Sequence, residues 1–167
     1  MSKTSLLLSG ALLLLIPLLS RAQHVDTLRV GDQIPYFHMS DTSGHMMSLQ
    51  HLKGSYVFID VWASWCFPCI REYPHMAELE KKMEGKNIIF IGISCDDVNW
   101  RWRGAMGGYR IKGNQWIMKD KAFMKAFKVD RIPRYILLDK EGRIVELHAL
   151  RPSDPELEKY LNNLTEI

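Results

Sequence analysis

Apolar residues run almost unbroken through Tyr56-Val57-Phe58-Ile59-Asp60-Val61-Trp62 and again through Ile88-Ile89-Phe90-Ile91-Gly92-Ile93-Ser94. Runs this short and this rich in β-branched and aromatic side chains predict strands covered on both faces, as at the centre of a parallel sheet. Between them Ile70, Tyr73 and Ala77, and then Met76, Leu79 and Met83, recur at three-to-four spacing and predict a helix over 66–84. Lys81 and Lys82 suit its carbonyl end, and Gly85 is a natural residue just past it. Pro74 falls inside this helix and predicts a kink. Strand, helix, strand at this spacing is a βαβ unit with parallel strands and a right-handed crossover.

The flanks add smaller elements. Phe37-His38-Met39 and Met46-Met47-Ser48-Leu49 flank the turn residues Asp41-Thr42-Ser43-Gly44 and predict an N-terminal hairpin. A helix is expected over 99–106, a short strand over 115–117 and another helix over 121–127. Tyr135-Ile136-Leu137-Leu138 and Ile144-Val145-Glu146-Leu147, joined by Asp139-Lys140-Glu141-Gly142, read as a second hairpin. A last helix carries the stripe Leu157, Tyr160, Leu161, Leu164. Ser153 is expected to cap it, with Glu156 closing a capping box and Pro155 in the first turn. The whole predicts an α/β domain, a central mixed sheet flanked by helices, with an extra N-terminal β-hairpin.

The first 22 residues are set apart from this fold. Lys3 opens a short basic region, Leu6 to Leu19 is almost wholly apolar, and Ser20-Arg21-Ala22 offers small residues at a cleavage site. That layout predicts a secretory signal peptide over 1–22 and one domain over 23–167. The apolar stretch is short of the roughly 20 residues a spanning helix needs, so cleavage is expected over a retained anchor. Residues 1–22 carry Lys3 and Arg21 and no acid, so without them the formal charge falls from +3 to +1. A near-neutral domain gives no electrostatic reason to bind nucleic acid.

The chain has 3 cysteines, Cys66, Cys69 and Cys95. A disulfide-stapled secreted fold would spread an even number along the chain, and a loop as short as 66–69 adds little chain-entropy stabilisation. The pair is better explained by chemistry. It falls just after the first buried strand, at a helix N-terminus, where unpaired N–H groups stabilise a thiolate. Cys66, expected to be the more exposed, is the candidate nucleophile, and Cys69, one turn deeper, the candidate resolving thiol. Asp60, the one charge in its strand, is expected to have its pKa raised by burial and to exchange a proton with Cys69. Glu72 is a candidate for the same work from the other side.

The run Phe58-Ile59-Asp60-Val61-Trp62-Ala63-Ser64-Trp65-Cys66-Phe67-Pro68-Cys69 resembles the thioredoxin superfamily, and within it the exported TlpA/ResA-like thiol–disulfide oxidoreductases. The resemblance covers most of the chain past residue 22, roughly 31–164. Pro74 matches the family's helix proline, Ile132-Pro133 its cis-proline, and Glu72 a glutamate beside the active site. Arg151-Pro152-Ser153-Asp154-Pro155 looks like the same branch. The resemblance implies a thioredoxin-like fold and a protein-disulfide reductase of the periplasm, with protein thiols and disulfides as substrates and apocytochrome c among them. It also implies a membrane electron donor of the DsbD/CcdA kind. Trp65, Ile132 and Pro133 would line the substrate surface, with partner chain paired along the proline loop. Pro68 belongs to a Phe-Pro dipeptide in place of thioredoxin's Gly-Pro, so thioredoxin's redox poise does not carry over. No cofactor or metal is expected, and the protein is expected to be a monomer.

Other readings compete. A peroxiredoxin-like peroxidase would carry a Pro-x-x-x-Thr-x-x-Cys run, whereas 61–66 reads Val-Trp-Ala-Ser-Trp-Cys. A copper carrier on the same fold would draw on Cys66, Cys69 and His148. A structural zinc site needs a second ligand pair that the sequence lacks. Cys95 is expected to act as a small buried hydrophobe, Trp62 as core, and one tryptophan of Trp100-Arg101-Trp102-Arg103 to pack inward.

Overall fold

The computed structural model describes residues 27–167, and the predicted signal segment lies outside the described residues. Seven strands form one sheet in the order β2-β1-β5-β4-β3-β6-β7. They are β1 (Met39–Ser40), β2 (Met46–Met47), β3 (Tyr56–Trp62), β4 (Ile88–Ser94), β5 (Asn114–Met118), β6 (Arg134–Leu138) and β7 (Ile144–Glu146). The helices are α1 (Phe67–Lys82), α2 (Asn99–Tyr109), α3 (Ala122–Ala126) and α4 (Pro155–Asn162). The strands β3, β4 and β5 run parallel, and β6 returns antiparallel along β3. The expected N-terminal hairpin is present, shorter than its apolar flanks, and extends the sheet by pairing β1 antiparallel to β5.

Every residue of β3 is buried. Its alternation divides the core in two. Val57, Ile59 and Val61 join Ile91, Ile93, Phe123 and Phe127 on one face. Tyr56 and Phe58 join Phe90, Tyr135 and Leu137 on the other, under Met76 and Leu79 of α1 and Leu157 and Leu161 of α4. Burying an aromatic side chain of this kind stabilises by roughly 2–3 kcal/mol. Asp60 and Trp62 share the parity of Phe58, so both lie on the α1 face. Asp60 is also the cross-strand partner of Tyr135.

Two helix ends differ from expectation. α1 ends at Lys82 with Met83 as its cap, so Gly85 is two residues past the cap, at φ 81°. α4 is capped by Asp154, whose carboxylate accepts from the Glu156 N–H, and not by Ser153. Pro155 explains the shift. With its fixed φ it takes the first helical position, which makes the residue directly before it the cap.

Gly92 of β4 leaves room for a buried side chain from β5. A Cβ at position 92 would meet Gln115 Oε1 at 2.1 Å. That oxygen accepts from Trp62 Nε1 at 3.2 Å and from the Tyr73 hydroxyl at 3.2 Å, tying β3 and α1 to β5. Gly92→Ala should therefore displace Gln115 and cost about 1–3 kcal/mol. The check is urea unfolding, with a lower midpoint at unchanged slope.

Candidate active site

Cys66 and Cys69 are joined by a disulfide at the N-terminus of α1, with Cα atoms 5.3 Å apart. Cys66 is the helix N-cap, and its Sγ accepts from the Cys69 N–H at 3.2 Å. Sulfur thus occupies the place that a serine or aspartate oxygen takes at other helix starts, where N–H groups and the helix dipole favour negative charge. Pro68, in the first turn, lacks an N–H that would have no helical partner there. Cys66 is the more exposed of the two, as expected, but both are buried: it is 4% exposed and Cys69 0%. The apolar cluster of Trp62, Trp102, Ile111 and Ile117 covers the pair. The exposed side chains are its neighbours, Trp65 at 63% and Phe67 at 72%.

The loop from β3 into α1 is held from β4. Asp96 is buried; its carboxylate accepts from the Ser64 N–H at 2.8 Å, the Ser64 hydroxyl at 2.7 Å and the Ser94 hydroxyl at 2.8 Å. The Cys66 N–H donates to the Ala63 carbonyl at 3.0 Å. These contacts fix the approach to the first sulfur. Sequence reasoning passed over Asp96 because its partner in the active-site loop, Ser64, lies 32 residues away. The only local signal was a polar Ser-Cys-Asp directly after an apolar strand.

Asp60 is buried, and its Oδ1 has no hydrogen-bond partner among the described residues. Burial, and after it the charge of Glu72, raises its pKa to about 8. Tyr73 and Tyr135 also face this acid; burial first, and Asp60 second, raise the pKa of each phenol. Glu72 is 8% exposed. Its Oε2 accepts from the Ser153 N–H at 2.9 Å and its Oε1 from the Ser153 hydroxyl at 3.0 Å, with Arg151 at 4.0 Å. Ser153, expected as a helix cap, thus serves the α1 glutamate instead.

The Ile132-Pro133 bond is cis. Two cavities flank it. One, of about 680 Å³, runs between Trp65 and Ile132 over Ile117, Met118 and Met124, with Cys95 in its wall. The other, of about 340 Å³, lies between Pro133, Tyr135, His148 and Arg151. Cys95 is only partly buried, a second difference from expectation, and burial with the nearby Asp96 pushes its thiol up to about 11. His148 faces Arg134, with Nε2 3.4 Å from its Nη1. Trp102 packs inward while Trp100 stays exposed, and Trp62 is core. No helix among the described residues is long and apolar enough to cross a membrane.

Residues 29–164 match the family described as Redoxin. The thiol-disulfide oxidoreductase ResA of Bacillus thuringiensis is 30% identical over 140 residues, covering 84% of this chain and 81% of the relative. Among solved structures, a candidate thiol-disulfide oxidoreductase from Bacteroides vulgatus is 35% identical, with a TM-score of 0.78 over 83% of this chain and 98% of the other. The thioredoxin domain of another thiol-disulfide oxidoreductase from Bacteroides vulgatus is 27% identical, with a TM-score of 0.72 over 81% of this chain and 97% of the other.

The raised Asp60 pKa makes stability depend on pH. The folded protein holds this proton up to about pH 8, whereas the unfolded chain gives it up near the ordinary carboxylate value of about 4. The stabilisation is therefore complete below about pH 4 and is lost as pH rises toward 8, by up to about 1.4 kcal/mol per unit. Asp60→Asn in the oxidised protein should flatten that slope and stabilise it at pH 8 relative to wild type. Urea unfolding of both proteins at pH 5 and pH 8 measures the difference.

Proposed function

The chain belongs to the redoxin family and is a thiol–disulfide oxidoreductase of thioredoxin-like fold, and from that premise we propose how its two cysteines exchange electrons with a partner protein. The observation that carries the reading is the Cys66–Cys69 disulfide capping α1, with Cys66 bonded to the first turn and exposed aromatic side chains on either side of it. In the reduced protein the Cys66 thiolate attacks one sulfur of a partner disulfide. A mixed disulfide forms, and the partner's other sulfur leaves as a thiolate. Cys69, deprotonated, then attacks Cys66 and releases the second partner thiolate. Two electrons pass to the partner, and the Cys66–Cys69 bond is remade.

Cys69 is fully buried, so its proton needs a nearby acceptor. Asp60 lies on the α1 face of β3, and its raised pKa matches it to a thiol better than an ordinary carboxylate would be. Glu72 supplies the negative charge that helps hold a proton on Asp60. The groove between Trp65 and Ile132 takes the partner chain, and Pro133, with no N–H, leaves the backbone of Ile132 to meet it.

The direction proposed is reduction of partner disulfides in the periplasm, apocytochrome c before haem attachment being one such partner. The relatives named thiol-disulfide oxidoreductases support the exchange chemistry on which this direction rests. The basic-apolar-small layout of 1–22 supports export with cleavage of that segment. A reductase in an oxidising compartment must be recharged, which calls for a membrane electron donor of the DsbD/CcdA kind. The protein is proposed to act as a monomer.

Cys69→Ser should accumulate mixed disulfides on Cys66, and Cys66→Ser should form none, as read by non-reducing electrophoresis and mass spectrometry. A Cys69→Ser protein that traps no partner would assign the roles wrongly. The direction is tested by equilibrating the Cys66–Cys69 pair with glutathione. A potential at or below about −250 mV is expected of a reductase, and one above about −150 mV would make the protein an oxidant.

A further inference from the structure

We propose that Ser153 is a positioning residue for the exchange: its backbone N–H and its hydroxyl grip the two oxygens of Glu72 and keep that carboxylate buried beside Asp60. A glutamate on a helix has a flexible stem and gains by reaching water. Glu72 is nevertheless 8% exposed, on the same helix as the cysteine pair and three residues past Cys69. A buried carboxylate whose charge bears on a second acid needs donors to hold it. Arg151 is two-thirds exposed and 4.0 Å away, too far for a hydrogen bond. Ser153 supplies both close donors, at 2.9 and 3.0 Å, one to each oxygen. Its hydroxyl is free to do so because Asp154 caps α4 in its place.

The grip joins elements far apart in sequence. Ser153 sits at the head of α4, and α4 docks through Leu157 and Leu161 on the face that α1 covers with Met76 and Leu79. The seating of the last helix therefore fixes where the active-site glutamate stands. The groups facing Asp60 are Glu72 and Tyr73 from α1 and Tyr135 from β6. Glu72 is faced by Ser153 and Arg151 from the loop before α4. Arg134, His148, Arg131 and Asp130 line the cavity beyond Tyr135 and Arg151. Of these, Ser153 alone donates a hydrogen bond to Glu72 among the described residues.

The inference rests on the proposed reading of Asp60 as proton acceptor, and the test keeps the two apart. Side-chain carboxyl carbons are titrated by NMR in the oxidised wild type, Ser153→Ala, Ser153→Thr, Glu72→Gln and the Glu72→Gln/Ser153→Ala double variant. Ser153→Ala should lower the Asp60 midpoint by about one pH unit, since one lost charge-assisted bond lets Glu72 turn away. Ser153→Thr, which keeps the hydroxyl, should restore it to within a few tenths of a unit. Glu72→Gln should lower the midpoint by itself and make Ser153→Ala silent. An Asp60 midpoint unmoved by Ser153→Ala, or moved equally with and without Glu72, overturns the proposal. The reading of Asp60 is judged separately, from the pH dependence of exchange in Asp60→Asn. An unchanged profile there defeats the proton-acceptor role, while the midpoints still decide whether Ser153 holds Glu72.

Discussion

A carboxylic acid in the middle of a strand covered on both faces is the constraint around which the rest of the molecule is arranged. Asp60 sits between Ile59 and Val61, with β4 on one side and β6 on the other. Strand parity leaves it nowhere to point except into the core under α1. Burial of its charged form is expensive, so the acid holds its proton well above the ordinary carboxylate range. A hydrophobic residue there would pack better and be cheaper. On the proposed reading, the acid serves the buried Cys69 sulfur, which must lose and regain a proton.

Around that acid the structure is rigid where the chemistry needs rigidity. Asp96 fixes the loop that delivers Cys66, and Gln115 fixes Trp62 and Tyr73 through one oxygen. Both anchors come from the far side of the βαβ unit, so the helix carrying the sulfurs is referenced to three parallel strands. The outer surface is different in kind. Trp65 and Phe67 stand in solvent, and Trp65 forms one wall of a mostly apolar groove. On the proposed reading, reactivity is set in the interior and recognition at the rim.

Much of this was legible in the chain. The two apolar runs located the central strands, and the helix periodicity between them placed the cysteine pair at a helix start. Asp60 declared itself as the lone charge in its strand. The thioredoxin-like resemblance and its oxidoreductase activity are borne out by the Bacillus and Bacteroides relatives. What sequence reasoning missed are contacts between residues far apart. Ser153 and Glu72 are 81 residues apart, and Gln115 and Trp62 are 53 apart. Local rules also compete: a capping box at Ser153 and a first-turn proline at Pro155 each predict a helix start, and the proline wins because its φ is fixed. Cys66 is the more exposed sulfur of the pair, as its place at the helix start suggested, yet it too is buried. It is covered because the residues around it, Trp62, Trp102 and Ile111, are large and apolar.

The order of the strands has one more implication. The borders of the sheet are β2, of 2 residues, and β7, of 3. The long strands, with many backbone groups to offer, are all interior. Open sheet borders are templates on which chains join edge to edge and aggregate, and short border strands deny them length. On the proposed reading, its partners are chains not yet fully folded, whose own strands are unpaired. A sheet with almost no free border cannot zip up with such clients along its sides. On the proposed reading, a client held by its backbone is held at the Ile132 loop, within reach of the sulfurs, and is let go once its disulfide has been exchanged.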